Sequence, residues 1–181
     1  MWLAPVASEL PLAYLRFDEP ALPYGRDLIS ATAGSVCGWA FDLAAYLAYG
    51  AAGVIALERT LALATGQGIT ILHGAFAIPD YARLLDGPLR FDAYTVNDNS
   101  VCAAYTQQPH IGVFVVQTDQ VHQAPNCGLF SPDTGIFQLP IADSGHTLCL
   151  YRLNPLRVQE KGEDKARFLS AVQVLVREAN N

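Results

Sequence analysis

The chain has 181 residues, of which 51% are apolar and 15% charged, with a formal net charge of −6. This composition excludes a disordered chain and fits one domain, residues 1–181, with a substantial core. The acidic balance and the lack of a basic stripe argue against nucleic-acid binding.

The opening segment "MWLAPVASELPLAYLRFDEP" has no basic stretch and is broken by prolines. It does not read as a targeting leader, and a cytoplasmic setting is expected. Within it "LAYLRF" is apolar and β-favouring, and is predicted as the first strand. From Ser30 to Tyr49 the apolar residues Val36, Trp39, Leu43 and Leu47 recur at helical spacing, and Gly50 is positioned to end that helix. "AAGVIALERTLALATG" is either a strand then a helix or one helix ending at Gly66; its alanine and leucine favour the helix. The apolar run "GWAFDLAAYLAYGAAGVIAL" is interrupted by Asp42 and Gly50, which fits buried elements rather than a membrane span.

"ITILHG" is a strand, and "IPDYARLLDG" a short helix with Pro79 in its first turn. "FDAYTVN" is a strand, "NSVCAAYTQQ" a short helix and "IGVFVVQT" a strand. Residues 119–145 read as loop, with one candidate strand at "GIFQLPI". "HTLCLYRL" is a strand, and Phe168, Val172, Leu175 and Val176 mark an amphipathic helix over residues 163–179. Alternating strands and helices predict an α/β fold with a parallel sheet covered on both faces. Both a (β/α)8 TIM-barrel-like fold and an open, doubly wound parallel sheet fit. A full eight-unit barrel needs about 250 residues, and at least about 200, so a barrel here is cut down.

The lysines are informative. Lys161 and Lys165 are the only two, and residues 1–160 contain none. No strand in that span can offer a Schiff-base lysine or an ammonium proton donor. Cys37, Cys102, Cys127 and Cys149 are widely spaced and read as free, buried thiols. His110, His122 and His146 show no metal-ligand spacing, and His122 with Cys127 lacks the second pair of a zinc set, so no metal is expected.

Several stretches resemble the orotidine 5′-phosphate decarboxylase family, in its branch with the longer catalytic signature. "ATAGSVCGWAFDLAAYLAYGAAGVIALERTLALA" is similar to that family's "AT-D-V-CAYKPNLAFYEA-G-AG--ALERT". "ITILHGAFAIPDYARLL" falls where the family has "PVILDAKRGDI--TA-AYA", and "FDAYTVNDNSV" resembles "ADAVTVNPYLG-DS". "IGVFVVQTD" resembles the strand leading to "TSNPG", and the closing stretch from Leu150 resembles "SRGI-YA---EDF--AAR--A--LR-EIN". The resemblance implies a (β/α)8 barrel, a dimer, a site at the C-terminal strand ends and no cofactor. It also implies that most of the sixth and seventh strands, with the phosphate-gripping loop, is missing between Val121 and Gly145.

The family's reaction expels carbon dioxide and stabilises a ring carbanion with an alternating Lys-Asp-Lys-Asp array. Here the lysine of "YKPN" aligns with Ala40, and the Asp-x-Lys-x-x-Asp triplet with His73, Ala75 and Ile78. The resemblance therefore implies a decarboxylase-like protein of the pyrimidine-biosynthesis family from which catalysis has been removed. Polar residues remain as candidate ligand contacts: Asp18, Asp42, His73, Asn97 and Arg152. Each has a structural alternative. Asp18 can be a turn residue, His73 a hydrogen-bonded structural histidine, Asn97 part of a helix cap, and Arg152 a partner of the acidic stretch near Glu160. Three roles stay open. The first is a non-catalytic binder of a nucleoside monophosphate, or an interaction subunit in a homodimer or with an active paralogue. The second is an enzyme with acid/base chemistry at His73 supported by Asp42 or Asp18. The third is a decarboxylase completed by a partner chain.

Overall fold

A computed structural model describes residues 1–108, 110–116, 126–140 and 147–181. In chain order its elements are β1 (Trp2–Leu3), α1 (Leu12–Leu15), α2 (Ala21–Thr32), β2 (Gly38–Asp42), α3 (Leu43–Leu47), α4 (Gly50–Ala64) and β3 (Ile69–Phe76). A 3₁₀ helix (Pro79–Asp86), β4 (Ala93–Val96), α5 (Asn99–Tyr105), β5 (Gly112–Val116) and β6 (Cys127–Ser131) follow. The remainder is β7 (Ile136–Pro140), β8 (Thr147–Tyr151), a second 3₁₀ turn (Pro155–Arg157) and α6 (Lys165–Ala179). Strand order follows sequence order from β1 to β8. The fold is α/β on a mixed, open sheet, the order expected of an incomplete TIM-type barrel. The chain divides into two compact units, residues 1–70 with 153–181, and residues 71–152.

In the first unit β1 runs parallel to β2, pairing Trp2 with Ala40 and Leu3 with Phe41. Three helices share an aromatic centre. Tyr14 of α1 packs edge-on to Tyr24 of α2 and Phe168 of α6, with ring centroids 5.4 and 6.0 Å away. Asp27 ties the same helices together, accepting from the Tyr14 hydroxyl at 3.3 Å and pairing with Lys165 at 3.0 Å. Burial, then the Asp27 charge, pushes the Tyr14 hydroxyl far above the usual tyrosine range. α6 begins where Asp164 accepts from the amides of Ala166 and Arg167, and buries Phe168, Val172 and Val176, as its periodicity predicts.

Three expectations for this unit change. "LAYLRF" is not a strand: Leu12–Leu15 is the short helix α1, and the first strand is Trp2–Leu3. The helix expected from Ser30 to Tyr49 is instead the end of α2, the strand β2 and the helix α3. The residues Trp39, Ala40 and Phe41 of β2 are all buried, and periodicity does not separate so short an apolar run from a helix segment. Gly50 opens α4 instead of ending a helix, and Gly50–Ala64 is the single helix favoured by composition.

In the second unit β3, β4, β5 and β6 are parallel, and β7 and β8 then return antiparallel. The sheet is therefore not wholly parallel. β6 was expected as loop. Its Gly128 lies so close to β7 that an added Cβ would fall 2.2 Å from the Gln138 carbonyl oxygen, so the residue that weakens the strand signal lets the two backbones meet. The candidate strand at "GIFQLPI" is β7. Residues 117–125 and 141–146, with His122, His146 and both ends of the segment expected to be reduced, lie outside the described residues, while the middle of that segment, residues 126–140, holds β6 and β7. Cys102 and Cys127 are buried as expected, but Cys37 and Cys149 are exposed. Among the described residues no helix is long and apolar enough to cross a membrane.

Candidate functional site

The C-terminal half of β3 is where the sequence places a site, and its local chemistry is unusual. Side chains alternate along a strand, so His73 shares a face with Thr95 of β4, whose neighbour Tyr94 pairs with Leu72. Register carries that face onward to Phe114, which pairs with Thr95, and to Phe130, which pairs with Val116 two residues beyond. Regular pairing of β3 with β4 is interrupted between Leu72 and Phe76, and within that interruption Ala75 adopts a positive φ of 43°. A residue with a Cβ is held there only where its surroundings impose it.

The imposing group is Thr95, which is fully buried. Its Oγ1 accepts from the Gly74 amide at 3.1 Å and the Ala75 amide at 2.9 Å. It also lies 3.1 Å from His73 Nδ1. A hydroxyl oxygen has two lone pairs and one hydrogen. Both lone pairs receive amide protons, so the hydroxyl hydrogen goes to His73 Nδ1. The imidazole is thereby assigned as neutral, with its proton on Nε2.

His73 stands edge-on to the Phe130 ring, with centroids 5.3 Å apart. Arg152, directly after β8, approaches the same ring, with Cζ 5.9 Å from its centroid. Arg152 also donates to the Pro132 carbonyl at 3.2 Å, which holds it over the β6–β7 turn. Phe130 stacks on Phe137 at 4.1 Å, and Phe137 meets Phe114 at 5.1 Å. The face that carries His73 and Arg152 is thus largely aromatic.

Two of the five candidate residues, His73 and Arg152, therefore meet on one ring. Asn97 follows β4; its amide donates to the Phe76 carbonyl at 2.8 Å and its side chain is exposed. The neighbouring Asp98 is the residue that caps α5, accepting from the Ser100 amide at 2.7 Å. Asp42 and Asp18 belong to the first unit. Asp42 ends β2 and caps α3, its Oδ1 accepting from the Ala45 amide at 3.2 Å. Asp18 is exposed in the bend between α1 and α2, not at a strand end. Of the positions aligned with the charged array, Ala40 is buried in β2 and Ile78 is exposed just before the 3₁₀ helix. Thr95 and Phe130 were missed by the sequence reading. Alternation in "FDAYTVN" puts Thr95 on the face of His73, but no comparable signal marks Phe130, in a stretch read as loop. Among the described residues no three His, Cys, Asp or Glu side chains cluster as a metal site would require.

No protein-family model matches the chain. A curated orotidine 5′-phosphate decarboxylase from Thermomicrobium roseum is 31% identical over 157 residues, 82% of this chain and 53% of that protein. Among solved structures, a Streptomyces avermitilis protein provisionally assigned as an orotidine 5′-phosphate decarboxylase superposes with a TM-score of 0.64. That match covers 99% of this chain and 88% of the other at 16% identity, and speaks to the fold alone. A Toxoplasma gondii protein with a similar provisional assignment gives a TM-score of 0.57 at 25% identity, covering 66% of this chain and 44% of its own. The chain spans about half the length of the curated relative it matches, and over that stretch it is homologous, at moderate identity, to orotidine 5′-phosphate decarboxylase.

Proposed function

We propose that this chain is a decarboxylase-like protein that does not decarboxylate, and that it binds a nucleoside monophosphate on the face carrying His73, Phe130 and Arg152. The observation that carries this reading is the strand end itself. Where the chemistry needs an ammonium donor among carboxylates, there is a neutral imidazole tied to a hydroxyl, beside two backbone amides bound to the same hydroxyl.

Loss of carbon dioxide leaves an electron pair on a ring carbon, and that pair needs a nearby positive charge and then a proton. One ion contact at 4 Å contributes about 4 kcal/mol at an effective dielectric of 20, so loss of two amounts to roughly 10⁶ in rate. A neutral imidazole N–H does not replace an ammonium as an acid. Acid/base chemistry at His73 finds no support in its Nδ1 partner, which is a hydroxyl rather than a carboxylate. A guanidinium above an aromatic ring suits an anionic ligand with a planar base.

Calorimetric titration of the intact chain with orotidine and uridine monophosphates tests the binding role. Saturable binding below millimolar concentration, weakened about tenfold by Arg152→Gln, is the expected result. No heat at millimolar ligand would overturn the binding role and leave an interaction subunit, a homodimer or a complex with an active paralogue, to be read from its mass in solution.

A further inference from the structure

We infer that Cys102 and Cys127 form a redox-responsive disulfide that locks α5 to β6. Both residues are buried, and their sulfurs stand 2.9 Å apart. A disulfide bond is about 2.05 Å long, so the two sulfurs have under an ångström to close before they reach bonding distance. The other two cysteines, Cys37 and Cys149, are exposed. The second unit therefore carries one internal pair, in register with the sheet: Cys127 lies opposite Val113 of β5.

The placement gives the bond a consequence. Side chains alternate along β6, so Cys127 and Phe130 point to opposite faces of the strand. Cys127 faces α5, the helix that follows Asn97 and is capped by Asp98, while Phe130 faces His73. Joining the two sulfurs pins the strand that presents Phe130 to the helix behind it. Oxidation would tighten the candidate face without touching it.

The chemistry balances with a low-molecular-weight disulfide as oxidant. One cysteine thiolate attacks that disulfide, forming a mixed disulfide and releasing one small thiol. The second cysteine sulfur then attacks the mixed disulfide, forming the internal bond and releasing the other small thiol. Two protein thiols are oxidised, one small disulfide is reduced to two thiols, and both cysteine protons pass to the departing thiolates. Hydrogen bonding to Cys127, together with burial, pushes the Cys102 thiol far above its usual range, so the exchange proceeds through local opening and is slow.

The test incubates the intact chain with oxidised glutathione, then denatures it in N-ethylmaleimide and maps its peptides by mass. The expected result is glutathione or N-ethylmaleimide on Cys37 and Cys149 alone, with a Cys102–Cys127 peptide pair missing its two thiol hydrogens. The bond closes a loop over a sequence separation of 25 residues. Oxidation should therefore raise Tm by roughly 6–10 °C, reversed by dithiothreitol. The double variant Cys37→Ser/Cys149→Ser should give the same linked peptide and the same Tm shift, and Cys102→Ala should lose both. Alkylation of all four cysteines after prolonged oxidation, or a bridge that includes Cys37 or Cys149, would overturn the proposal. So would a Tm rise that persists in Cys102→Ala.

Discussion

Replacing Thr95 by valine keeps the shape of the side chain and removes one hydroxyl, so it isolates the group that organises the end of β3. In the parent that hydroxyl accepts from the Gly74 and Ala75 amides and donates to His73 Nδ1. The surroundings are partly buried, so each orphaned amide costs near the lower end of the usual range, about 1 kcal/mol, and loss of the imidazole bond costs about 1 kcal/mol more. A methyl in place of the hydroxyl returns about 0.8 kcal/mol of burial. The net loss is about 2 kcal/mol, which lowers the urea midpoint by about 1 M for a slope of about 2 kcal/mol/M. Thr95→Ser keeps the hydroxyl and loses one methyl, so it should cost about 1 kcal/mol. Urea unfolding followed by circular dichroism ranks the three chains. ¹⁵N NMR of the imidazole adds a readout that packing alone would not move: the Nδ1 resonance of the parent is kept in Thr95→Ser and shifts in Thr95→Val, which removes its hydroxyl donor. Stability of Thr95→Val within 0.5 kcal/mol of the parent, or a smaller loss than in Thr95→Ser, would refute the assigned network.

Three further outcomes follow from separate parts of the chain. Gly25→Ala places a Cβ 2.7 Å from Thr60 Cγ2, so overpacking outweighs the gain in helix propensity. It should destabilise by about 1–2 kcal/mol, and adding Thr60→Ala should recover at least half; a stabilised Gly25→Ala chain contradicts the packing of α2 on α4. Ala75→Gly relieves a positive φ of 43°. After the extra entropy of the unfolded chain it should raise stability by about 0.5 kcal/mol in urea, and a loss above about 1 kcal/mol contradicts the assigned backbone. The Ser100 hydroxyl and then its amide hold Asp98 below its ordinary carboxyl pKa of 3.8. A depressed folded pKa means that the cap stabilises above the unfolded value and that this contribution is lost as pH falls through the folded one. NMR titration of Asp98 should give a value under 3.8 that returns toward it in Ser100→Ala, and an unchanged value in that variant removes the assigned cause.

Much of the second unit and the C-terminal helix was legible because local and tertiary demands agree there. β3, β4, β5 and β8 are apolar runs of strand length, and α6 has a capping aspartate and a clean apolar stripe. The failures have physical causes. α2 includes residues 21–29, which were given no element, and its Pro23 and Gly25 weaken the helix signal there. Pro23 lies in the first turn, where its missing N–H costs no hydrogen bond, and Gly25 is required by the close approach of Thr60. β2 was concealed by apolar residues that happen to fall three and four apart. β6 was concealed by Gly128, whose reason lies on another strand. The site was half legible for the same reason. His73 and Arg152 are visible as types of residue, but their meeting at Phe130 depends on strand pairing, which one sequence does not display.

The most direct test of the account is release of labelled carbon dioxide from carboxyl-labelled orotidine 5′-monophosphate by the pure chain, compared with buffer alone and with an active decarboxylase. A neutral His73 and a lysine-free span over residues 1–160 predict release at the buffer rate at every protein concentration. Release that rises in proportion to the chain and falls away in His73→Ala would contradict it.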